Sequence, residues 1–267
     1  MLIFLDTNAL IYLLTNGKLK SYGAYPILQF LTFEKCIYEW KNGLKRHFIN
    51  QEFVLRAIKN PGKNKETSWE GIQASSVITQ ELEYLALDEM ELDKLVTAVK
   101  TYDLGYEFGI ALENEDSSIE EMENQFRTFV HEDQQPDTGL LRLKQFYKLA
   151  RDGIRLALNE FDELLDSYRV KIKYYDHVFG IPLQILEFRS IMEDSYLPSE
   201  DLEIIFSAIC SHCRLFVTAE KKILKHSRTL GLNYALEFVH LEELDNRLAE
   251  WVPELSPNSP YRVNEDA

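Results

Sequence analysis

Five short apolar runs punctuate this chain, and longer stretches with helical spacing separate them. Residues 1–6 (Met1-Leu2-Ile3-Phe4-Leu5-Asp6) read as a fully buried strand that ends on an acid. Ser75-Ser76-Val77-Ile78-Thr79 is short and β-branched, and Lys171–Tyr175, Arg214–Thr218 and Phe238–Leu241 complete the set. Helical spacing is predicted over 8–16, 26–57, 81–102, 139–169 and 221–230. Pro198-Ser199-Glu200-Asp201 opens another helix, with Ser199 as the expected N-cap and acids in the first turn. Strands alternating with helices predict an α/β fold: a three-layer α/β/α arrangement around a mostly parallel central sheet. Such sheets place their sites at the carboxyl ends of the strands.

The polar residues expected at those ends are acids. Asp6 closes the first run, Glu81 follows the second, Asp201 starts the helix before the fourth strand, and Glu220 follows that strand in Val217-Thr218-Ala219-Glu220. Clustered carboxylates repel one another and lose solvation, so they are costly without a cation between them. Oxygen donors without His or Cys suit Mg2+ or Mn2+ rather than zinc. A divalent ion held by carboxylates lowers the pKa of bound water and neutralises phosphate charge, a standard arrangement for phosphodiester hydrolysis. The plain alternative for Asp6 alone is a helix cap.

Four short motifs, spread over nearly the whole chain, resemble those of the PIN domain family. Leu5-Asp6-Thr7-Asn8 before an apolar helix is similar to the family's opening, and Ser75 to Leu82 to its second motif. Asp201 to Ala208 and Leu215 to Glu220 resemble the third and fourth. The resemblance implies a metal-dependent endoribonuclease in which Asp6, Glu81, Asp201 and Glu220 hold Mg2+ or Mn2+ directly or through water. It makes Thr7, Asn8 and Thr218 supporting polar positions, with Glu83 and Glu203 as second candidates. The sequence departs from the pattern at Glu220, where the family carries Asp, and at Ser207, where a small apolar residue is usual. The chain is also about twice the length of a minimal member. The expected organisation is therefore one PIN-like domain over 1–252, with helical insertions at about 17–73 and 84–170 and a loose tail over 253–267. A catalytically weak relative that binds RNA or a protein is the alternative. A dehalogenase-type phosphatase is disfavoured, because Asn8 stands where its second acid belongs.

With 29 basic and 44 acidic residues, a net charge of −15 argues against bulk electrostatic binding of nucleic acid. The cations are nonetheless grouped. Residues 41–65 hold Lys41, Lys45, Arg46, Arg56, Lys59, Lys63 and Lys65 near Trp40, Phe48, Phe53 and Trp69, a mixture suited to single-stranded RNA. Lys144, Lys148, Arg151 and Arg155 share a helical stripe, and Lys221, Lys222, Lys225 and Arg228 follow Glu220. From these come the RNA-binding candidates Lys45, Arg46, Lys144, Lys148, Arg151, Lys221 and Lys222. Solvated helix faces are the plain alternative, as is a solvated loop and helix for the acidic stretch 111–137. Partners implied by the family are an RNA substrate, an antitoxin or other inhibitory protein, and a second copy of the chain.

No apolar run approaches the ~20 residues of a membrane span. The N-terminus lacks a basic leader, so neither membrane insertion nor secretion is expected. Three cysteines, Cys36, Cys210 and Cys213, fit a reducing cytoplasm rather than a disulfide framework. Cys210-Ser211-His212-Cys213 has redox or zinc spacing but lies at a helix C-terminus, so buried structural thiols are expected.

Overall fold

The computed structural model describes residues 1–61, 68–101, 138–226, 231 and 233–255. The acidic stretch 111–137, Lys63, Lys65, Arg228 and the tail beyond residue 255 lie outside them. The chain divides into two compact units, one of residues 1–39 with 162–267 and one of residues 40–161.

The first unit carries the sheet. Its strands are β1 (Leu2–Leu5), β2 (Gln29–Phe33), β3 (Lys171–Lys173), β4 (Leu215–Thr218) and β5 (Glu237–His240). They lie in the order β3-β2-β1-β4-β5, and every pairing is parallel. Phe4 stands beside Leu31 on one side and Phe216 on the other. All four residues of β4 and the last three of β1 are buried, as a sheet covered on both faces requires. The helices of this unit are α1 (Thr7–Thr15), α2 (Lys18–Gly23), the start of α3 (Glu34–Ile49), the end of α7 (Thr138–Ser167), α8 (Tyr175–Phe179), α9 (Pro182–Asp194), α10 (Ser199–Cys210), α11 (Lys221–His226) and α12 (Leu244–Ala249). Strand order turns back at β1: the chain first moves outward through β2 and β3, then crosses to β4 and β5. Right-handed crossovers in the two directions place helices on opposite faces, which gives the three layers. The core joins Phe4, Phe33, Phe179, Phe188, Phe206 and Phe216, with Phe4 and Phe216 stacked at 5.6 Å.

The second unit is helical among its described residues. It contains the rest of α3, then α4 (Gln51–Lys59), α5 (Trp69–Leu85), α6 (Glu89–Thr101) and most of α7. Trp40 and Phe161 stack at 4.0 Å. A Cβ on Gly153 would lie 2.7 Å from Val77 and 2.9 Å from Glu81, so glycine is what lets α5 and α7 approach there.

Two sequence expectations are corrected. Residues 29–33, inside a segment with helical spacing, form the strand β2. Phe30, Leu31, Thr32 and Phe33 are all buried, and a strand buried on both faces has no alternation to distinguish it from a helix. Conversely, Ser75–Thr79 lies inside α5. Its buried residues Ala74, Ser75, Val77, Ile78 and Leu82 recur at helical spacing, and packing of that face overrides the β-branched preference. Ser68 caps this helix by accepting from the Gly71 amide at 3.1 Å.

Candidate functional site

The parallel sheet dictates where polar groups can gather. Asp6 follows the last residue of β1, and Glu220 follows β4 by two positions. These strands are neighbours at the point where strand order reverses, the position at which α/β sheets open a crevice. Helix α10 runs into β4, so its N-terminus lies at the same carboxyl edge and carries Asp201 in its first turn. Its N-cap is Pro198 rather than Ser199, one residue earlier than the sequence suggests. Helix α3 leaves the end of β2 directly, and Glu39 stands in its second turn.

Local hydrogen bonds fix three of these acids. Asp6 caps α1, its Oδ1 accepting from the Ala9 amide at 2.8 Å, and the Thr218 side chain also bonds the carboxylate. Thr218 Oγ1 in turn accepts from the Glu220 amide at 2.9 Å, shaping the turn after β4. Thr7 Oγ1 donates to Glu39 Oε2 at 2.7 Å, and Asn8 Nδ2 donates to Glu220 Oε1 at 3.4 Å. The consecutive residues Asp6, Thr7 and Asn8 therefore reach β4, α3 and the turn after β4.

The acids perturb one another. Burial, with the Glu220 and Glu39 charges, pushes Asp6 up to about 7 against its two hydrogen bonds. Glu39 is raised by burial and by the charges of Glu200 and Asp201, opposed by Thr7 and Lys35. Glu220 is raised by burial, Asp201 and Glu39, and Asp201 by burial and Glu200. Lys222 opposes the shift of both Glu220 and Asp201, while Lys35 also opposes that of Asp201. Asp6, Glu39, Asp201 and Glu220 thus form one electrostatically connected cluster. Among the described residues no three His, Cys, Asp or Glu side chains form a group that could hold a metal ion.

Glu39 is the member that sequence reading missed. Its signal, an apolar run Phe30-Leu31-Thr32-Phe33 followed by a helix with acids, was concealed by the helical spacing around it. Glu81 does not follow a strand. It lies within α5 of the second unit, against Gly153, and is raised by burial and by the Asp152 charge. Glu83 is exposed on the same helix, and Glu203 pairs with Lys35.

The basic candidates separate by burial. Arg151 is 4% exposed and pairs with Asp152, so it offers no surface to RNA, contrary to the sequence expectation. Arg46, Lys148, Lys221 and Lys222 are exposed, whereas Lys45 and Lys144 are half-buried. Trp40, Phe48 and Phe53 are core residues, not stacking platforms. Burial pushes the Cys36 and Cys213 thiols up to about 12 and Cys210 up to about 11; Cys36 and Cys213 are buried, whereas Cys210, expected to be buried, is half-buried.

The fold and this cluster define an α/β protein with acids gathered at the carboxyl edge of a parallel sheet. The chain matches no protein-family model, no curated protein and no solved structure. Among the described residues, no helix is long and apolar enough to cross a membrane.

Proposed function

We propose that the protein is a divalent-metal-dependent endoribonuclease of the PIN type, acting in the cytoplasm. The observation that carries this reading is the carboxylate cluster at the carboxyl ends of β1 and β4: Asp6, Glu39, Asp201 and Glu220 are each pushed up by burial, and the first, second and fourth also by charges of the others. Repulsion of that kind is relieved by a cation, and an all-oxygen donor set suits Mg2+ or Mn2+. Magnesium keeps several waters and takes one or two carboxylates, so a cluster without three converging donors still fits its chemistry.

One or two of Asp6, Glu39, Asp201 and Glu220 would hold the ion directly, and the others would reach it through water. When bound, it supplies charge stabilisation at the phosphodiester. The chain's own part is orientation: Thr218 fixes Asp6, Thr7 fixes Glu39 and Asn8 reaches Glu220. Exposed Lys221 and Lys222 border the crevice with charge suited to an RNA backbone.

A catalytically weak RNA- or protein-binding module is the second reading. It is favoured by the lack of a three-donor metal group among the described residues. Manganese titration and digestion of single-stranded RNA separate the two. The nuclease reading expects manganese binding and cleavage, both lost in Asp6→Asn. Binding of RNA without metal uptake or cleavage would establish the second reading instead.

A further inference from the structure

The sheet ends on β3, and among the described residues no strand lies beyond it. The sequence around this edge strand is unlike the rest of a chain with 44 acids. Residues 168–175, Tyr168-Arg169-Val170-Lys171-Ile172-Lys173-Tyr174-Tyr175, hold three cations, three tyrosines and no acid. Arg169 and Lys171 are exposed, and Lys173 is half-buried. Tyr174 and Tyr175 are each 50% exposed. Tyr175 is nonetheless held in place: its ring stacks on Phe179 at 4.6 Å and lies 6.4 Å from Phe33, and its amide donates to Glu34. Tyr174 meets the exposed His177 edge-on at 5.7 Å. Two aromatic rings are thus presented to solvent at the end of a row of cations.

We propose that β3 and the two tyrosines after it form a docking strip for single-stranded RNA, in which Arg169, Lys171 and Lys173 meet phosphates and Tyr174 and Tyr175 stack on unpaired bases. The choice of RNA rests on the reading above, but no metal enters the inference. A single strand offers a phosphate chain and open base faces together, and cations beside exposed aromatic rings match both. Lysines on an edge strand also deter pairing with another chain. That protection accounts for the cations and leaves the two half-exposed rings unexplained. An acidic peptide would likewise satisfy the cations but not the rings. The Tyr175 ring is already ordered by Phe179, so a base that stacks on it loses little to further ordering. Of the acids at the end of the strip, Glu34 accepts from the Tyr175 amide and Asp176 lies exposed in the first turn of α8. The positive charge therefore runs along β3, with the rings at its end. In a parallel sheet β3 ends at the same edge as β1, two strand spacings or about 10 Å away. An RNA strand held there lies within reach of the edge where the acids gather.

The test is fluorescence anisotropy of a short, labelled, mixed-sequence single-stranded RNA with the full chain, at low salt and in chelator. Tyr174→Ala and Tyr175→Ala should each weaken binding about fivefold or more. Tyr175→Phe keeps the ring and should stay within about twofold of wild type. Replacing Lys171 and Lys173 together by Gln should lower the salt slope by about 1 to 1.5. Lys148→Gln, at an exposed position of the second unit, should stay within about twofold. An abasic strand of equal charge separates stacking from folding: wild type should bind it more weakly than RNA, and the alanine variants should bind it as wild type does. RNA affinities that the tyrosine and lysine variants share with wild type, or alanine variants that lose both ligands alike, would overturn the inference while leaving the RNA reading standing. Tighter binding of polyglutamate than of RNA, with the same losses in the variants, would make the partner an acidic protein and overturn it too. No RNA binding by the wild type would overturn the strip, and manganese-dependent cleavage of the same RNA decides the nuclease reading separately.

Discussion

Thr7 Oγ1 donates to Glu39 Oε2 at 2.7 Å, tying the first residue of α1 to the helix after β2. The bond turns an acid in the second turn of a helix toward the strand-end aspartate, and the Glu39 charge then helps push Asp6 up, after burial. It makes Glu39, rather than Glu81, the fourth acid of the crevice in the reading proposed above. Glu39→Gln is expected to weaken manganese binding at least about tenfold and RNA cleavage about 100-fold. Glu81→Gln should leave manganese affinity unchanged. Calorimetry on both variants decides, and the reverse ranking would remove Glu39 from the site.

Asp6 links the crevice to pH. Its carboxyl titrates near 7 in the folded protein against an ordinary 3.8. Between those values the folded chain holds a proton that the unfolded chain has released. The associated stability is complete below about pH 4 and is lost as pH rises through about 7. The raised Glu39, Asp201 and Glu220 act in the same direction. In chelator, the melting temperature should fall by roughly 5 °C between pH 5 and pH 8 through Asp6. Asp6→Asn keeps an oxygen for the Ala9 amide and should flatten that slope. A slope unaltered by the substitution would show that Asp6 titrates normally.

Thr218 serves two neighbours from a fully buried position, bonding Asp6 and accepting the Glu220 amide. Thr218→Val keeps the shape and loses both. It should cost about 1–3 kcal/mol in denaturant unfolding, while Thr218→Ser stays closer to wild type. Equal losses in the two variants would point to packing instead.

Ser207 is fully buried on α10, and its Oγ has no hydrogen-bond partner among the described residues. Burying an unpaired hydroxyl is unfavourable, so Ser207→Ala should raise stability by up to about 1 kcal/mol. A thermal melt reads this directly, and a clear loss would mean that the hydroxyl is satisfied in solution.

The sequence made β1 and β4 legible because each is an unbroken apolar run closed by a polar turn, and Asp6 and Glu220 came with them. Asp201 was legible from the proline and acids that open α10. Glu39 was not, because it stands a turn into a helix rather than at a strand end, and its strand looks helical in isolation. Arg151 misled for a related reason. It shares a lysine stripe, yet it also lies four residues after Tyr147 and three before Ile154, both in the core. Helical spacing alone leaves such a residue on the border of two faces, and tertiary packing decides.

The pairing of Ile3 with Leu215 has a consequence for synthesis. The central strand emerges early, and its β4 partner is translated roughly 10–40 s later at ordinary elongation rates. Until then one side of β1 lacks its neighbour, and the crevice lacks two of its acids. A nascent chain that ends before β4 therefore lacks the assembled acid cluster.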